Sequence, residues 1–169
     1  MPATRQDLDA FFGELGIAAT TVEHPPVFTV EEAQSLRGSI PGAHSKNLFL
    51  KDKKDALFLV VAVEDTAIDL KRLHAHIGAG GRLSFGRPEL LMETLGVVPG
   101  SVTPFGLIND RPPRLRVILD ARLVAAAIVN FHPLVNTATT SLASADLLAF
   151  VRATDHEPEI LDFAAFRAD

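Results

Sequence analysis

The sequence predicts an α+β domain of 169 residues built on a mixed or largely antiparallel sheet. Three observations carry that expectation. Hydrophobic residues make up 47% of the chain and charged residues 22%, which supports a substantial core and argues against disorder. Helical and strand-like periodicities follow one another irregularly, without the regular βα alternation of a doubly wound fold. No apolar run approaches the roughly 18 residues needed to span a bilayer, so one soluble unit is expected over residues 1–169.

The elements follow in order. Leu8, Phe11, Phe12 and Leu15 recur at helical spacing, with Thr4 placed to cap the helix and Gly16 to stop it. Residues 19–22 are β-like, and His24-Pro25-Pro26 forces extended backbone. A second helix is expected from Thr29, whose spacing to Glu32 makes a capping box, to about Gly38, with a loop over residues 39–45. Runs at 47–51 and 56–63 flank Asp52-Lys53-Lys54-Asp55, the charged tip of a hairpin. A helix over 69–77 ends at the cluster of Gly78, Gly80 and Gly81. Residues 82–85 read as a strand, and Pro88–Leu95 as a helix with Pro in its first turn and Gly96 just past its end. Four prolines between residues 97 and 113 predict a long ordered loop, or a loop with a short strand. Residues 115–120 and 126–131 read as strands and 136–140 as β-favouring. Ser144 is placed to cap a last helix to about Arg152, and the acidic tail from Glu157 is expected to be partly exposed.

Composition removes several chemistries. Without cysteine there is no disulfide, thiolate nucleophile or cysteine-based metal site, and without tyrosine there is no phenolic acid or base. The N-terminal helix carries acids among its apolar positions, unlike a secretion signal, so a cytoplasmic protein is expected. The net charge of −5 argues against a nucleic-acid partner, but it is unevenly spread: −4 over residues 1–45, +3 over 46–122 and −4 over 123–169. A basic middle is compatible with one cationic face or with ordinary surface scatter.

Three segments place polar groups where a scaffold presents function. Lys46 immediately precedes an apolar strand and would project at the sheet edge, to hold a phosphate or carbonyl oxygen or simply to be solvated. The Gly100-Ser101-Val102-Thr103-Pro104 loop offers three consecutive amides between stiffening residues, as an anion nest or a structural turn. His132 ends an apolar strand and precedes proline, which fits a base, an anchor or a satisfied core histidine. His74 and His76 are two apart on a helix and cannot chelate one metal, the glycine cluster lacks the spacing of a phosphate loop, and Ser141 and Ser144 lack a nucleophile elbow. No metal and no cofactor are expected.

In this order, SKNLFLKDKK, LGVVPGSVTPFGL and FHPLVNTATT resemble the YbaK/prolyl-tRNA synthetase associated editing-domain family, and more closely its free-standing ProX-type alanyl-tRNA(Pro) deacylases. The resemblance runs over nearly the whole chain. It implies a curved sheet flanked by helices and hydrolysis of the ester joining a wrong amino acid to tRNA(Pro). It implies Lys46 at the terminal adenosine, Gly100 to Pro104 positioning the hydrolytic water, His132 anchoring the aminoacyl group, and Asn47 and Asn136 lining the pocket. Val27, Phe28 and Leu134 are candidate pocket walls or core residues. Lys51 and Arg82, with Lys53 and Lys54 at the hairpin tip, would contact the acceptor stem. The implied partners are the acceptor end of mischarged tRNA(Pro) and prolyl-tRNA synthetase, with the protein acting as a monomer or homodimer. A cysteinyl-tRNA(Pro) deacylase and a non-catalytic tRNA- or synthetase-binding module are the alternatives.

Overall fold

The hairpin around residues 52–55 is the spine of the fold. In the computed structural model, which describes residues 2–26 and 30–166, strands β2 (Ala43–Lys51) and β3 (Leu57–Val63) pair antiparallel from Ser45 opposite Val63 to Lys51 opposite Leu57. Strands β1 (Thr20–Glu23), β4 (Ser84–Phe85), β5 (Leu115–Asp120), β6 (Ile128–Phe131), β7 (Ala138–Ala143) and β8 (Pro158–Leu161) complete one mixed sheet in the order β1-β7-β6-β2-β3-β5-β8, with β4 on the edge of β2. Four of its pairings are antiparallel and three are parallel.

Strand β3 is apolar at every position because helices cover both of its faces. Leu57, Leu59 and Val61 face a core shared with Leu8, Phe12, Leu95, Phe105, Phe131 and Phe150. Phe105 sits edge-on to Phe12, Phe131 and Phe150 at centroid distances of 5.1, 5.5 and 5.3 Å. Phe58, Val60 and Ala62 face a smaller core with Leu50, Leu73, Ile77 and Ile118.

The helices follow their caps. Helix α1 (Arg5–Leu15) starts in a capping box between Thr4 and Asp7 and ends at left-handed Gly16. Helix α2 (Val30–Ser39) is present, whereas its expected cap Thr29 lies outside the described residues. Asp69 caps α3 (Leu70–Ile77), and α4 (Pro88–Leu95) has Pro at its first position and left-handed Gly96 after it.

Three expectations need correction, and two elements, a short helix and strand β8, were not anticipated. Strand β2 begins at Ala43, inside the expected loop, because the backbone of Gly42 (φ +104°) runs against β6: a Cβ there would lie 2.8 Å from Ile128 and 2.9 Å from Asn130. The proline-rich stretch 97–113 holds a 3-10 helix, Pro104–Asn109, capped by the Thr103 hydroxyl. A five-residue helix α5 (Ala121–Ala125), too short to show a period, is capped by the Asp120 carboxylate. Helix α6 (Ser144–Ala153) has Ala143 at its cap position, so Ser144 is its first residue and caps nothing. The acidic tail supplies β8, parallel to β5, with Pro158 as its first residue, where no ladder donor is lost from the interior.

Candidate active site

The site lies where the sheet forks. Strands β2 and β6 run parallel but pair only at Ala43–Val129 and His44–Asn130. Beyond those pairs the strands part, and the residues from the last pair onward line a cavity of about 310 Å³: His44, Ser45, Lys46 and Asn47 from β2, and Asn130, Phe131 and His132 from β6 and its end. Lys46 and His132 each stand two residues past the last pair. Leu36, Glu64, Gly100, Val102 and Thr139 close the remaining walls. A crevice at the carboxyl end of parting parallel strands is where sheet folds commonly bind ligands.

Each group is held in place. The Lys46 ammonium donates to the Thr66 carbonyl, and the turn carrying Thr66 is clamped by Asp120. That buried carboxylate accepts from the Thr66 hydroxyl (2.6 Å), from Val63 N (3.1 Å) and from Arg122 N (3.0 Å). Arg122 adds a 3.0 Å bond to the Thr66 hydroxyl. Asn47 donates through Nδ2 to Ser45 Oγ (3.2 Å), while its Oδ1 is buried and unpartnered among the described residues. His132 gives Nδ1–H to the Ala138 carbonyl at 3.1 Å, which leaves Nε2 as an acceptor. Desolvation holds the His132 ring below its ordinary pKa, opposed by the Ala138 carbonyl and reinforced by nearby His24, so the ring is neutral at pH 7.

The Gly100 loop joins the cavity in part. Gly100 has φ +94°, and Gly100 and Val102 are on the wall. Ser101, Thr103 and Pro104 are buried beneath it. Ser101 N closes a turn on the Val98 carbonyl at 3.0 Å, so two of the three expected amides, those of Val102 and Thr103, remain without a partner among the described residues.

Two candidate wall residues fall elsewhere. Leu134 (φ +70°) is buried in the larger core, and Asn136 stands beside Gly100 but not on the cavity. Val27 and Phe28 lie outside the described residues. The basic residues are better grouped: Lys51, Lys53 and Arg82 share a second, open hollow with Asp52, Asp55 and Ser84. The glycine cluster does more than end α3. Gly80 donates to Asp52 (2.7 Å), and a Cβ on Gly80 or Gly81 would press on the Lys54 stem at 2.7 Å or the Lys53 stem at 3.1 Å. Lys54 stands apart from the hollow, its stem over Gly80.

Sequence reasoning missed His44, Glu64, Asn130, Thr139 and, behind Thr139, His24. Their position follows from ladders between distant segments, chiefly β1 with β7, which sets Glu23 opposite Ala138. The Thr-rich 136–140 stretch was the one signal that could have pointed there. Among the described residues, no three His, Asp or Glu side chains are grouped to hold a metal ion.

An eight-stranded mixed sheet with a crevice at its fork, lined by a fixed lysine and a neutral histidine, defines an α+β domain with one candidate ligand-binding cavity there. The sequence profile of the aminoacyl-tRNA editing domain matches residues 24–150, and the chain belongs to that family. It is 41% identical over 163 residues to the mouse prolyl-tRNA synthetase associated domain-containing protein 1, covering 94% of this chain and 96% of that one. It is 39% identical over 150 residues to the prolyl-tRNA editing protein ProX of Acetoanaerobium sticklandii, covering 88% and 91%. A crystal structure of a candidate trans-editing enzyme for prolyl tRNA synthetase superposes with a TM-score of 0.72 at 22% identity, over 96% of this chain and 97% of that one, and supports the fold.

Proposed function

We propose that this protein is a trans-editing deacylase that hydrolyses the ester of alanyl-tRNA(Pro). The observation that carries the reading is the convergence of Lys46, Asn47, His132 and the Gly100 loop on one cavity of about 310 Å³, a size for a small aminoacyl group. The names of the mouse and Acetoanaerobium relatives support the prolyl-tRNA context. An aminoacyl ester is already activated, so the work required is an oriented water, dipoles for the developing oxyanion and exclusion of proline.

Lys46 keeps N–H donors beyond the one spent on Thr66 for a phosphate or carbonyl oxygen of the terminal adenosine. The Val102 amide supplies a dipole at the hydrolytic water, with Ser101, Thr103 and Pro104 holding the loop from beneath, and His132 anchors the aminoacyl group through Nε2. Water adds to the ester carbonyl, the acyl C–O bond breaks, and the ribose oxygen leaves with a proton. Lys51, Lys53 and Arg82 take acceptor-stem phosphates, with Lys54 as a flanking charge. On this reading the protein works in the cytoplasm on errors made by prolyl-tRNA synthetase.

Purified protein is expected to release alanine from alanyl-tRNA(Pro) and to leave prolyl-tRNA(Pro) intact. Alanine release no faster than the buffer blank overturns the reading, and preferential release of cysteine moves it to the cysteinyl branch. Replacing Lys51 and Arg82 by Ala is expected to flatten the salt dependence of tRNA binding by about two counterions, measured by titration at several salt concentrations.

A further inference from the structure

Phe85 leaves 60% of its surface in water, more than any other large apolar side chain among the described residues. The backbone that displays it is nevertheless fixed. Leu83, two residues earlier, is buried, and Gly86 N donates to the Phe49 carbonyl at 3.0 Å. Gly86 passes so close over the Phe49 ring that a Cβ there would lie 2.3 Å from it. One exposed apolar side chain carries no meaning by itself, but the surroundings of this one do. Arg82 and Arg87 flank it in the chain, both exposed and neither in an ion pair or side-chain hydrogen bond among the described residues. Every other arginine whose side chain is described reaches a carboxylate or a carbonyl.

The sheet places this cluster on a path. Strands β6 and β4 pair with the same edge of β2, at residues 43–44 and 50–51, and no strand pairs with residues 45–48 between them. The cavity opens at one end of that gap, at Lys46, and the basic hollow lies past the other, at Lys51. Phe85 is opposite Leu50, and Lys46 and Leu50 are four apart on one strand, so Lys46 and Phe85 belong to the same face. About 13 Å of strand separates them. That is the reach of a few nucleotides at roughly 3.4 Å of stacked rise each.

We infer that Phe85, flanked by Arg82 and Arg87, is a stacking platform for one unpaired nucleobase of the RNA strand whose last nucleotide enters the cavity. The inference rests on the deacylase reading and extends it to a surface outside the cavity. An aromatic face accepts any base and neighbouring cations hold the phosphates, the combination by which proteins grip single-stranded nucleic acid. A base inside a duplex has both faces covered, so the platform senses that a nucleotide is unpaired rather than which base it carries. It thereby sets the length of single strand between the cavity and the first paired nucleotides.

The probe is tRNA(Pro) carrying alanine through a 3′-amide in place of the ester, which is not hydrolysed. Each unpaired nucleotide before the last is replaced in turn by an abasic one, and affinity for the parent protein and for Phe85→Leu is measured. At one position the abasic RNA is expected to bind the parent about 5- to 100-fold more weakly, the worth of one base on an aromatic ring, and to bind Phe85→Leu within about twofold of the intact RNA. Phe85→Trp is expected to keep the full penalty. The salt dependence of binding is expected to be unchanged in Phe85→Leu and to fall by about one counterion in Arg87→Ala. Penalties equal in the parent and Phe85→Leu at every position overturn the platform, as does RNA binding by Phe85→Leu as tight as the parent's, or no binding of the intact RNA. If the coupling is present and alanyl-tRNA(Pro) is not cleaved, the deacylase reading falls and the platform stands; cleavage without the coupling means the reverse.

Discussion

Lys46 and His132 come from strands that stop pairing two residues earlier, and each is tied to one backbone carbonyl, so their orientation is built in before a substrate arrives. Lys46→Ala is therefore expected to lower kcat/KM for alanyl-tRNA(Pro) by about 100-fold or more, the scale of losing one preorganised electrostatic contact, while thermal melting stays near that of the parent protein. His132 carries a pH signature. Burial depresses its pKa, so the neutral anchor persists as pH falls through about 6.5, and deacylation should decline only below that value. The same shift acts on stability: the unfolded histidine binds a proton first, so its contribution is present above about pH 6.5 and lost as pH falls through the folded pKa. Rate-pH profiles of the parent and His132→Gln, with the acid limb missing in the variant, check this. Lys46, Asn47 and His132 were legible because a polar residue at the end of an apolar strand stands out in one sequence. His24 and Thr139 were not, because 115 residues separate them and only the β1–β7 ladder joins them. Leu134, which the sequence left open between pocket wall and core, lies in a loop but turns into the core.

Among the elements, short devices do the positioning. Asp52 holds the hairpin tip by accepting from Lys54 N (2.8 Å), Ala56 N (3.0 Å) and Gly80 N (2.7 Å). The clamp of Asp120 on Thr66 holds the turn to which Lys46 is bound. Thr66→Val removes the hydroxyl while keeping the volume, and is expected to cost about 1–3 kcal/mol by urea denaturation and to reduce activity. Thr66→Ser restores activity if the hydroxyl is what matters. In a Lys46→Ala background, Thr66→Val should have little further effect on turnover, because its influence passes through the lysine. Helices α1, α3 and α4 were readable from caps and stops that lie next to them in the chain. Helix α5 and the 3-10 helix were not, since their signal is a single carboxylate and a single hydroxyl, and β8 was hidden by the charge of the tail that forms it.

Across the molecule, one buried polar knot ties the last helix to the loop that leads into β5. Asp110 accepts from His156 (2.8 Å), Arg114 N and Leu115 N (2.9 Å each), and His156 bonds Thr154 at 2.9 Å. Burial works against the Asp110 charge, but the bonds from His156 and the two amides outweigh it and hold the pKa below its ordinary value. Its stabilisation is thus present above about pH 4 and lost as the pH falls through the lowered folded value. His156→Ala removes one of the three donors to that buried carboxylate and is expected to cost about 1–3 kcal/mol in urea denaturation. Asp110→Asn should weaken the acid sensitivity as well as the stability. At this scale the sequence was most informative about class: irregularly ordered helical and strand-like runs implied an α+β domain, and the family resemblance implied a sheet flanked by helices. It was silent on strand order, because which strands neighbour one another depends on contacts between residues far apart in the chain.

Gly42 contributes no atom to the cavity lining, yet its missing side chain lets β2 enter against β6 at the two pairs beyond which the strands part. A side chain added at residue 42 would have to push β2 away from Ile128 and Asn130, so the cavity depends on a residue that does not touch it.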